Sequence, residues 1–244
     1  MPRTLLEDEE LRDLNDRFET AHPREIVRWA LEDSGIGRIA IASAFQADGT
    51  AVMHMATQLR ADIPILFLDT GFHFEQTLRL KEQLTEKLGL NVVDLEGEYR
   101  SPEAQAKEFG ERLYERDPAK CCDINKVQPM FNALRELDGW ITAYRRESSP
   151  TRANAPIVDQ YELEPGRTIV KINPMATWTR RETWSYLNEH DLPHNRLYDI
   201  GYASIGCAPC SRLQFPGEAE REGRWAGLSK WECGIQETGR AAER

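Results

Sequence analysis

The chain has 244 residues, of which 40% are hydrophobic and 30% are charged. This length is sufficient for one α/β domain with a sizeable core, and no run of about 20 apolar residues is available to span a bilayer. The 41 acidic and 31 basic residues give a net charge of -10, which argues against a protein that binds nucleic-acid phosphates in general.

The cysteine count and the first residues indicate the compartment. Five cysteines are an odd number, and in a reducing compartment they serve as metal ligands or reactive thiols rather than as a disulfide framework. The N-terminal stretch MPRTLLEDEE is acidic and lacks the basic-then-apolar order of a signal peptide. We therefore expect a cytoplasmic protein without a nucleic-acid or membrane partner.

The elements in chain order indicate a parallel α/β sheet. Apolar residues recur at helical spacing in several segments, and short β-rich runs separate these segments. The predicted helices lie at 11–18, 26–31, 50–60, 77–89 and 179–191, and the predicted strands lie at 38–43, 64–71, 91–96, 139–144 and 168–173. This alternation predicts a doubly wound, mainly parallel sheet with a ligand site at the carboxyl ends of its strands. Segment 147–158 is predicted to be a loop or a flexible lid.

Two strand-to-helix loops carry groups that suit a nucleotide. Ser43 stands where the first strand would end, in IASAFQADG, and the N–H groups of the next helix could hold a phosphate or sulfate there. In FLDTG, Asp69 and Thr70 could bind ribose hydroxyls or adenine. Taken singly, an ordinary loop for the first stretch and helix capping for the second are the simpler roles. Because the loops lie at adjacent strand ends, together they predict a nucleotide crevice.

Four of the five cysteines come in two tight pairs. KCCDINK (120–126) and GCAPCSR (206–212) can supply four thiolates to one zinc ion or one [4Fe-4S] cluster. Adjacent side chains such as Cys121 and Cys122 diverge along a helix or strand, so both reach a cluster more easily than a smaller ion. The pattern favours iron-sulfur and leaves zinc open, with two unrelated pairs of buried thiols as the alternative.

Arginines are grouped beside the cysteine-rich end of this acidic chain. Arg145 and Arg146 follow a predicted strand, while Arg221, Arg224 and Lys230 lie within EREGRWAGLSK. The planar guanidinium suits phosphate or sulfate, so the grouping predicts local recognition of an anion. A solvated face paired to nearby glutamates is the alternative.

Seven short stretches carry a family likeness: SAFQADG, LDTGFHF, KCCDINKVQPM, RRESSPTRA, HNRLYDIGYASIGCAPCSR, EREGRW and ECG. They resemble the assimilatory sulfonucleotide reductases, and within these the iron-sulfur adenosine 5′-phosphosulfate (APS) reductases. The likeness runs from about residue 38 to about residue 237. The paired cysteines are its specific part, because relatives that reduce the 3′-phosphorylated nucleotide (PAPS) commonly lack them while keeping the terminal Glu-Cys-Gly.

The resemblance implies the fold of the adenine-nucleotide α-hydrolase group and a set of site residues. Residues 1–215 would form a nucleotide-binding α/β domain with one [4Fe-4S] cluster per subunit. Residues 216–244 would form a mobile segment, rich in Cys and Arg, that carries the nucleophile Cys233. Lys120 would lie between cluster and substrate. The implied cluster ligands are Cys121, Cys122, Cys207 and Cys210; the implied nucleotide pocket holds Ser43, Leu68 and Gly71; and Arg145, Arg221 and Arg224 would hold the phosphosulfate.

The implied activity is thioredoxin-dependent reduction of APS to sulfite and AMP, through an S-sulfonate on Cys233, in assimilatory sulfate reduction and cysteine biosynthesis. APS and thioredoxin are the implied partners, and the chain could form a homo-oligomer. Three alternatives stay open: reduction of PAPS or of both nucleotides, a non-catalytic iron-sulfur or zinc sensor, and sulfur insertion into tRNA, which the net charge disfavours. Two positions depart from the family pattern, Ala143 where a glycine often stands and Gln236 where a histidine does.

Overall fold

The computed structural model describes residues 5–99, 101–228 and 230–235, so the departure at Gln236 lies outside the described residues. Six strands form one sheet in the order β3-β2-β1-β4-β6-β5. The strands are β1 (Ile39–Ala42), β2 (Pro64–Asp69), β3 (Asn91–Glu96), β4 (Gly139–Thr142), β5 (Val158–Glu164) and β6 (Arg167–Ile172).

The sheet is parallel except at one edge. Strand β1 pairs in parallel with β2 and β4, β2 with β3, and β4 with β6, whereas β5 pairs antiparallel with β6. The chain runs outward from β1 through β2 to β3 and then returns to the other side of β1 with β4. Such a reversal opens a crevice at the carboxyl ends of the strands. The predicted doubly wound, mainly parallel α/β sheet is confirmed.

Helices surround this sheet. They are α1 (Asp8–Phe18), α2 (Pro23–Arg28), α3 (Ala47–Thr57), α4 (Glu75–Leu88), α5 (Pro102–Phe109), α6 (Leu113–Arg116), α7 (Pro118–Cys122), α8 (Gln128–Leu134) and α9 (Arg180–Glu189). A π-helical turn, Trp29–Asp33, extends α2, and another, Asp123–Val127, joins α7 to α8. Among the described residues, none of the helices combines the length and the apolar character needed to cross a membrane.

The central strands of the sheet, β1 and β4 among them, are buried on both faces, which explains their near-continuous apolar runs. Ile39 and Ile41 of β1 belong to the larger core on one face, while Ala40 between them belongs to a second core on the other face. Helix α8 covers this second face with Met130 and Leu134. The two cores fix the strands in register and so hold the loops at the carboxyl edge in place.

Two regions differ from the sequence-based prediction. Strand β5 was not predicted, and neither was the helical stretch from α5 to α8. Segment 147–158 is a loop that contains the short turns Arg146–Ser148 and Pro150–Arg152 and leads into β5 at Val158.

The chain beyond α9 folds back over the carboxyl edge of the sheet. Isolated antiparallel bridges join His73 to Cys207 and Ser211 to Arg224. Trp225 is buried, and Ile235 is buried in the second core beside β4 and β5. The division of the chain at residue 215 stays a prediction, with the described part of the later segment packed onto the sheet.

Candidate active site

A cleft opens at the carboxyl ends of β1, β2 and β4, where the strand order reverses. The sheet loops form its floor, and the C-terminal segment closes one side. Of the residues that the sequence singled out, the cleft is lined by Ser43, Leu68, Thr70, Cys207, Arg221, Arg224 and Cys233. Gly71, Lys120 and Arg145, all within the described ranges, are not among its lining residues.

The loop after β1 is built around a strained, buried turn. Phe45 has φ 54°, a left-handed conformation that is costly for such a side chain. Ser43 Oγ accepts a hydrogen bond from Phe45 N at 3.1 Å, and the Phe45 ring packs edge-on against Phe67. A Cβ at position 49 would lie 2.5 Å from Ser43 Oγ, which explains Gly49. The turn thereby holds Ser43 at the cleft, close to the start of α3.

The loop after β2 joins the cleft to the cysteines. Leu68 and Thr70 line the cleft, and Thr70 Oγ1 lies 3.4 Å from Cys207 Sγ. His73 Nε2 donates a 2.7 Å hydrogen bond to the carbonyl oxygen of Leu68. Gly71 is exposed, with φ 70°, so its contribution is to the turn rather than to the cleft wall.

Four cysteines line a second, smaller cavity beside the cleft. Cys121 and Cys122 lie at the end of α7, and Cys207 and Cys210 flank the turn that follows the bridge to His73. All five cysteines of the chain are free thiols, and three of the four around this cavity are buried. The structure thus brings the two predicted pairs, 85 residues apart in sequence from Cys122 to Cys207, to one place.

Two amide side chains lie beside these cysteines. Gln105 Nε2 and Asn125 Nδ2 lie 3.9 and 3.6 Å from Cys121 Sγ as donors. Hydrogen bonds to the sulfurs are one means by which proteins tune iron-sulfur centres. Within the described ranges, no three His, Cys, Asp or Glu side chains are close enough together to hold a single ion. Four cysteines around one cavity are the number of ligands that a structural zinc ion or a [4Fe-4S] cluster takes.

Lys126 lies at the wall between the cleft and the cysteine cavity, because it lines both. Burial disfavours its charge, but the neighbouring cysteine thiolates, Cys207 foremost, raise the pKa of Lys126. Lys120 is exposed on α7, with Nζ 5.9 Å from the centre of the Phe109 ring. Lys126, rather than Lys120, is therefore placed between the cysteines and the cleft.

Arg224 is buried and presents its guanidinium at the cleft. Its Cζ lies 4.7 Å from the centre of the Trp225 ring, and its Nε donates to the carbonyl oxygen of Cys210 at 3.4 Å. A Cβ at position 206 would lie 2.0 Å from Arg224 Nη2. Gly206 thus leaves the space that this guanidinium occupies.

Arg221 is also buried at the cleft and is incompletely paired. Its Nη2 donates to the carbonyl oxygen of Trp231 at 3.0 Å and to Glu232 Oε2 at 3.2 Å, whereas its buried Nε has no hydrogen-bond partner among the described residues. Burial and the charge of Arg152 lower the pKa of Arg221 to about 10. A buried guanidinium with an unsatisfied N–H favours an anionic ligand.

Arg152 is a cleft residue that the sequence did not single out. Its Nε and Nη2 donate to the two carboxylate oxygens of Glu232 at 2.7 and 2.9 Å. Its guanidinium also stacks on Tyr144, with 4.0 Å between Cζ and the ring centre. A basic residue within the polar stretch RRESSPTRA was its only signal in the sequence.

Arg145, in contrast, is fully engaged by carboxylates and does not itself line the cleft. It is 1% exposed and donates to three carboxylates, those of Asp48, Glu147 and Glu220, at 3.1, 2.7 and 2.7 Å. Burial opposes its charge, yet Asp48 and Glu220 hold the pKa of Arg145 above its usual value. Arg145 therefore connects α3, the loop after β4 and the C-terminal segment.

Cys233 lies half-buried at the side of the cleft. It packs against the second core, and it is near enough to Lys126 and Cys122 to affect the pKa of each. Two contacts flank it in the chain: Glu232 pairs with the arginines, and the carbonyl oxygen of Ile235 accepts a 3.0 Å hydrogen bond from Tyr161 Oη. A thiol is thus held among cations at the edge of the cleft.

Comparison with known proteins identifies the family. A sequence profile of the phosphoadenosine phosphosulfate reductase domain matches residues 38–213, well over half of the chain. The chain belongs to the phosphoadenosine phosphosulfate reductase family. The predicted likeness to the sulfonucleotide reductases is confirmed.

Relatives in this family match along nearly the whole chain. The adenosine 5′-phosphosulfate reductase of Halalkalibacterium halodurans is 38% identical over 230 residues, covering 93% of this chain and 96% of that protein. The adenosine 5′-phosphosulfate reductase of Mycolicibacterium smegmatis is 39% identical, with 95% and 97% covered. The phosphoadenosine 5′-phosphosulfate reductase of Gloeobacter violaceus is 36% identical, with 96% of each covered.

Solved structures confirm the fold. The phosphoadenylyl-sulfate reductase of Candida auris, in a phosphate complex, superposes with a TM-score of 0.74 at 26% identity, covering 84% of this chain and 97% of that one. The FMN adenylyltransferase of Candida glabrata superposes with a TM-score of 0.56 at 13% identity, covering 90% and 77%. The second likeness concerns the fold alone and agrees with the predicted adenine-nucleotide α-hydrolase-like architecture.

Proposed function

We propose that this reductase converts APS to sulfite and AMP with thioredoxin as electron donor, and that Cys233 is the nucleophile. The observation that carries the proposal is the position of the Cys233 thiol, which lines the same cleft as Lys126, Arg221 and Arg224. The cleft lies at the strand edge where this fold binds nucleotides. Family membership and the APS reductases among the relatives support the reaction class.

The first step is a sulfonyl transfer. The nucleotide occupies the crevice between the loops after β1 and β2, near Ser43 and Leu68, and its phosphosulfate meets the three cations Lys126, Arg221 and Arg224. The Cys233 thiolate attacks the sulfur of APS, the bond from that sulfur to the phosphate oxygen breaks, and AMP leaves. The product on the enzyme is a cysteine S-sulfonate.

The second step releases sulfite. A thioredoxin thiolate attacks Cys233 Sγ, sulfite departs with the electron pair of the broken sulfur-sulfur bond, and a mixed disulfide forms. The second thioredoxin thiol then resolves that disulfide, so the dithiol supplies both electrons. Because the same sulfur meets a buried nucleotide and then another protein, we propose that the segment after residue 215 moves between the two steps.

A [4Fe-4S] cluster, one per subunit, is the cofactor we propose for the cysteine cavity, held by Cys121, Cys122, Cys207 and Cys210. When bound it would supply charge and rigidity beside the substrate rather than electrons. Lys126 separates this cavity from the cleft and orients the substrate anion there. The five free thiols suit a reducing compartment, and we propose that the enzyme acts in the cytoplasm.

APS is preferred over PAPS in this proposal because the paired cysteines are typical of the APS enzymes. The phosphoadenosine 5′-phosphosulfate reductase from Gloeobacter violaceus, 36% identical, makes PAPS the second candidate substrate. Sulfite release from each nucleotide, measured with the same thioredoxin, decides between them. We expect a higher kcat/KM for APS, and a higher value for PAPS would contradict the preference.

The decisive experiment is a mass measurement on the anaerobically purified protein. Incubation with APS alone should add one sulfonate, and peptide mapping should place it on Cys233. Cys233→Ser should gain no mass, and reduced thioredoxin should remove the adduct while releasing sulfite. A protein that carries its cluster, binds APS and gains no mass would contradict the reductase and favour a non-catalytic sensor.

A further inference from the structure

Glu232 is a buried carboxylate inside the cleft that the proposed chemistry does not use. It is 8% exposed, and it accepts hydrogen bonds from Arg152 Nε at 2.7 Å, Arg152 Nη2 at 2.9 Å and Arg221 Nη2 at 3.2 Å. Thr151 Oγ1 donates a longer one at 3.4 Å. The carboxylate therefore binds this arginine pair much as a bound anion would.

The hydrogen bonds of Arg152 engage all three of its guanidinium nitrogens. Its third guanidinium nitrogen, Nη1, donates to Ser148 Oγ at 3.3 Å, and the face of the group stacks on Tyr144. An anionic ligand gains the paired hydrogen bonds of Arg152 Nε and Nη2 only if Glu232 gives them up. A second anion placed beside Glu232 in this buried site would also be repelled by it, since like charges at close range are strongly unfavourable.

We propose that Glu232 is an internal anionic ligand of the cleft: it binds Arg152 and Arg221 until the phosphosulfate end of an adenine nucleotide displaces it from them. This inference deepens the proposed function, on which it rests for the identity of the nucleotide. Glu232 acts as a positioning residue, because it touches the arginines and sets the place of the next residue, Cys233.

The exchange has a consequence for the nucleophile. Cys233 is held on its N-terminal side by Glu232 and by the hydrogen bond from Arg221 Nη2 to the Trp231 carbonyl oxygen. On its C-terminal side it is held by the hydrogen bond from Tyr161 Oη to the Ile235 carbonyl oxygen. An anion that binds Arg152 and Arg221 in place of Glu232 releases the N-terminal contacts and leaves the C-terminal one, because the Ile235 carbonyl oxygen is bound by Tyr161 rather than by an arginine. The thiol then turns about Ile235 toward the anion that has displaced Glu232, so nucleotide binding itself frees the reacting group.

The test compares nucleotide affinity in the cluster-loaded wild type and in Glu232→Gln. ADP, which carries two linked anionic groups and does not react, is the charged probe, and adenosine is the uncharged one; isothermal titration measures both. Glu232→Gln should bind ADP about tenfold more tightly, the scale of one charge-assisted hydrogen bond regained. The affinity for adenosine should be unchanged, because adenosine has no anionic group for the arginines to bind.

Glu218→Gln is the matched control. Glu218 lies in the same segment and pairs with both Nη groups of Arg212 at 2.6 and 2.7 Å, but it does not line the cleft. The ADP affinity of Glu218→Gln should equal that of the wild type. An ADP affinity in Glu232→Gln that is unchanged or weaker would overturn the proposal, because an anchoring carboxylate that does not compete predicts one of those results.

Alkylation of Cys233 by iodoacetamide, followed by peptide mass, is the second readout and needs only the wild type. ADP should increase the alkylation rate of the wild type, and the same rate with and without ADP would overturn the proposal. Neither measurement involves sulfur transfer. If Glu232→Gln tightens ADP binding while APS leaves no adduct on Cys233, the competition stands and the reductase proposal fails. If APS leaves the adduct while Glu232→Gln does not tighten ADP binding, the reductase proposal stands and the competition fails.

Discussion

Lys120 and Lys126 bracket the adjacent cysteines, and at the scale of single residues their surroundings differ. Lys126 lines the cleft, whereas Lys120 is exposed. Loss of one charged hydrogen bond to a substrate anion costs about 1.5–3 kcal/mol. We therefore expect Lys126→Ala to lower kcat/KM for APS by roughly tenfold to a hundredfold, measured as sulfite release with excess thioredoxin.

Lys120→Ala is the matched control for that prediction. It removes a lysine from the same stretch, KCCDINK, without touching the cleft, and kcat/KM should stay within about twofold of the wild type. Cluster content must be equal in both variants. A large loss in Lys120→Ala with no loss in Lys126→Ala would restore the role that the family resemblance implied for Lys120.

The residue scale also shows what the sequence could predict of the site. Cysteine pairs and Cys233 stand out because their chemistry is rare, and the structure places them beside the cleft. Arginines are ambiguous, since only the folded chain shows that Arg145 is enclosed by carboxylates while Arg152 faces the cleft. Lys126 follows Cys122 by one helical turn, a spacing that places it on the same side of the helix and could have identified it.

At the scale of elements, long periodic segments were predictable and short ones were not. Strands β1, β2, β3, β4 and β6 lie within or close to the predicted runs. Strand β5 has a register shift between Glu162 and Glu164, which breaks the two-residue period that would reveal an edge strand. Helices α5 to α8 contain 4 to 8 residues each, fewer than the window in which helical periodicity is recognisable.

The start of β5 depends on a side chain from α1. Asn15 Oδ1 accepts from the backbone N–H groups of Ile157 and Val158 at 2.7 and 3.1 Å, and its Nδ2 donates to the Val158 carbonyl oxygen at 2.8 Å. Asn15→Ala leaves these backbone groups without partners, so we expect a loss of about 2 kcal/mol in the free energy of unfolding, measured with urea. Asn132→Ala, at an exposed position on α8, should change it by less than about 0.5 kcal/mol. Equal stability of the two variants would contradict this role of Asn15.

Helices α3 and α9 meet at a histidine that makes stability depend on pH. His54 Nδ1 lies 2.8 Å from Tyr186 Oη, and the His54 and His190 ring centres are 4.8 Å apart. Burial, followed by the charges of His190, Arg24 and Lys87, lowers the pKa of His54 below 6.5. The unfolded chain therefore binds the proton more tightly, and the stability that neutral His54 provides is complete above about pH 6.5 and declines below it.

Urea unfolding at pH 7.5 and pH 5.5 measures that contribution. The wild type should lose more stability between these two values than His54→Gln, which keeps a polar side chain but does not titrate there. Carboxylates that titrate in the same range are common to both proteins and cancel in the comparison. An identical pH dependence in the two proteins would show that His54 does not contribute.

On the scale of the whole molecule, the active site depends on bringing distant parts of the chain to one edge of the sheet. The switch in strand order provides the crevice, and the segment after α9 supplies Arg221, Arg224 and Cys233 to it. The sequence predicted the sheet and singled out Arg221, Arg224 and Cys233 as candidates, because periodicity and rare residue types are local signals. It could not predict that Glu220 would fasten this segment to the sheet through Arg145, since such a contact exists only in the folded chain.

Arg145 could either bind the substrate or stabilise the fold, and its contacts favour the second role. It joins Asp48 of α3, Glu147 after β4 and Glu220 of the C-terminal segment, and its removal leaves three carboxylates without their shared cation. Breaking a buried ion pair from one side costs about 3–5 kcal/mol, so Arg145→Met should lower the free energy of unfolding by roughly that amount.

The neighbouring Arg146, which is a quarter exposed and pairs with Glu19, is the control, and Arg146→Met should cost less than about 1 kcal/mol. Urea unfolding compares the two variants with the wild type, and titration with ADP reports on the cleft. If Arg145→Met keeps its stability and loses only ADP affinity, Arg145 holds the substrate, as the family resemblance implied. If Arg145→Met loses stability, Arg145 maintains the fold that lets Arg221 and Arg224 hold the substrate. Glu220, which Arg145 binds, is the residue that precedes Arg221 in the chain.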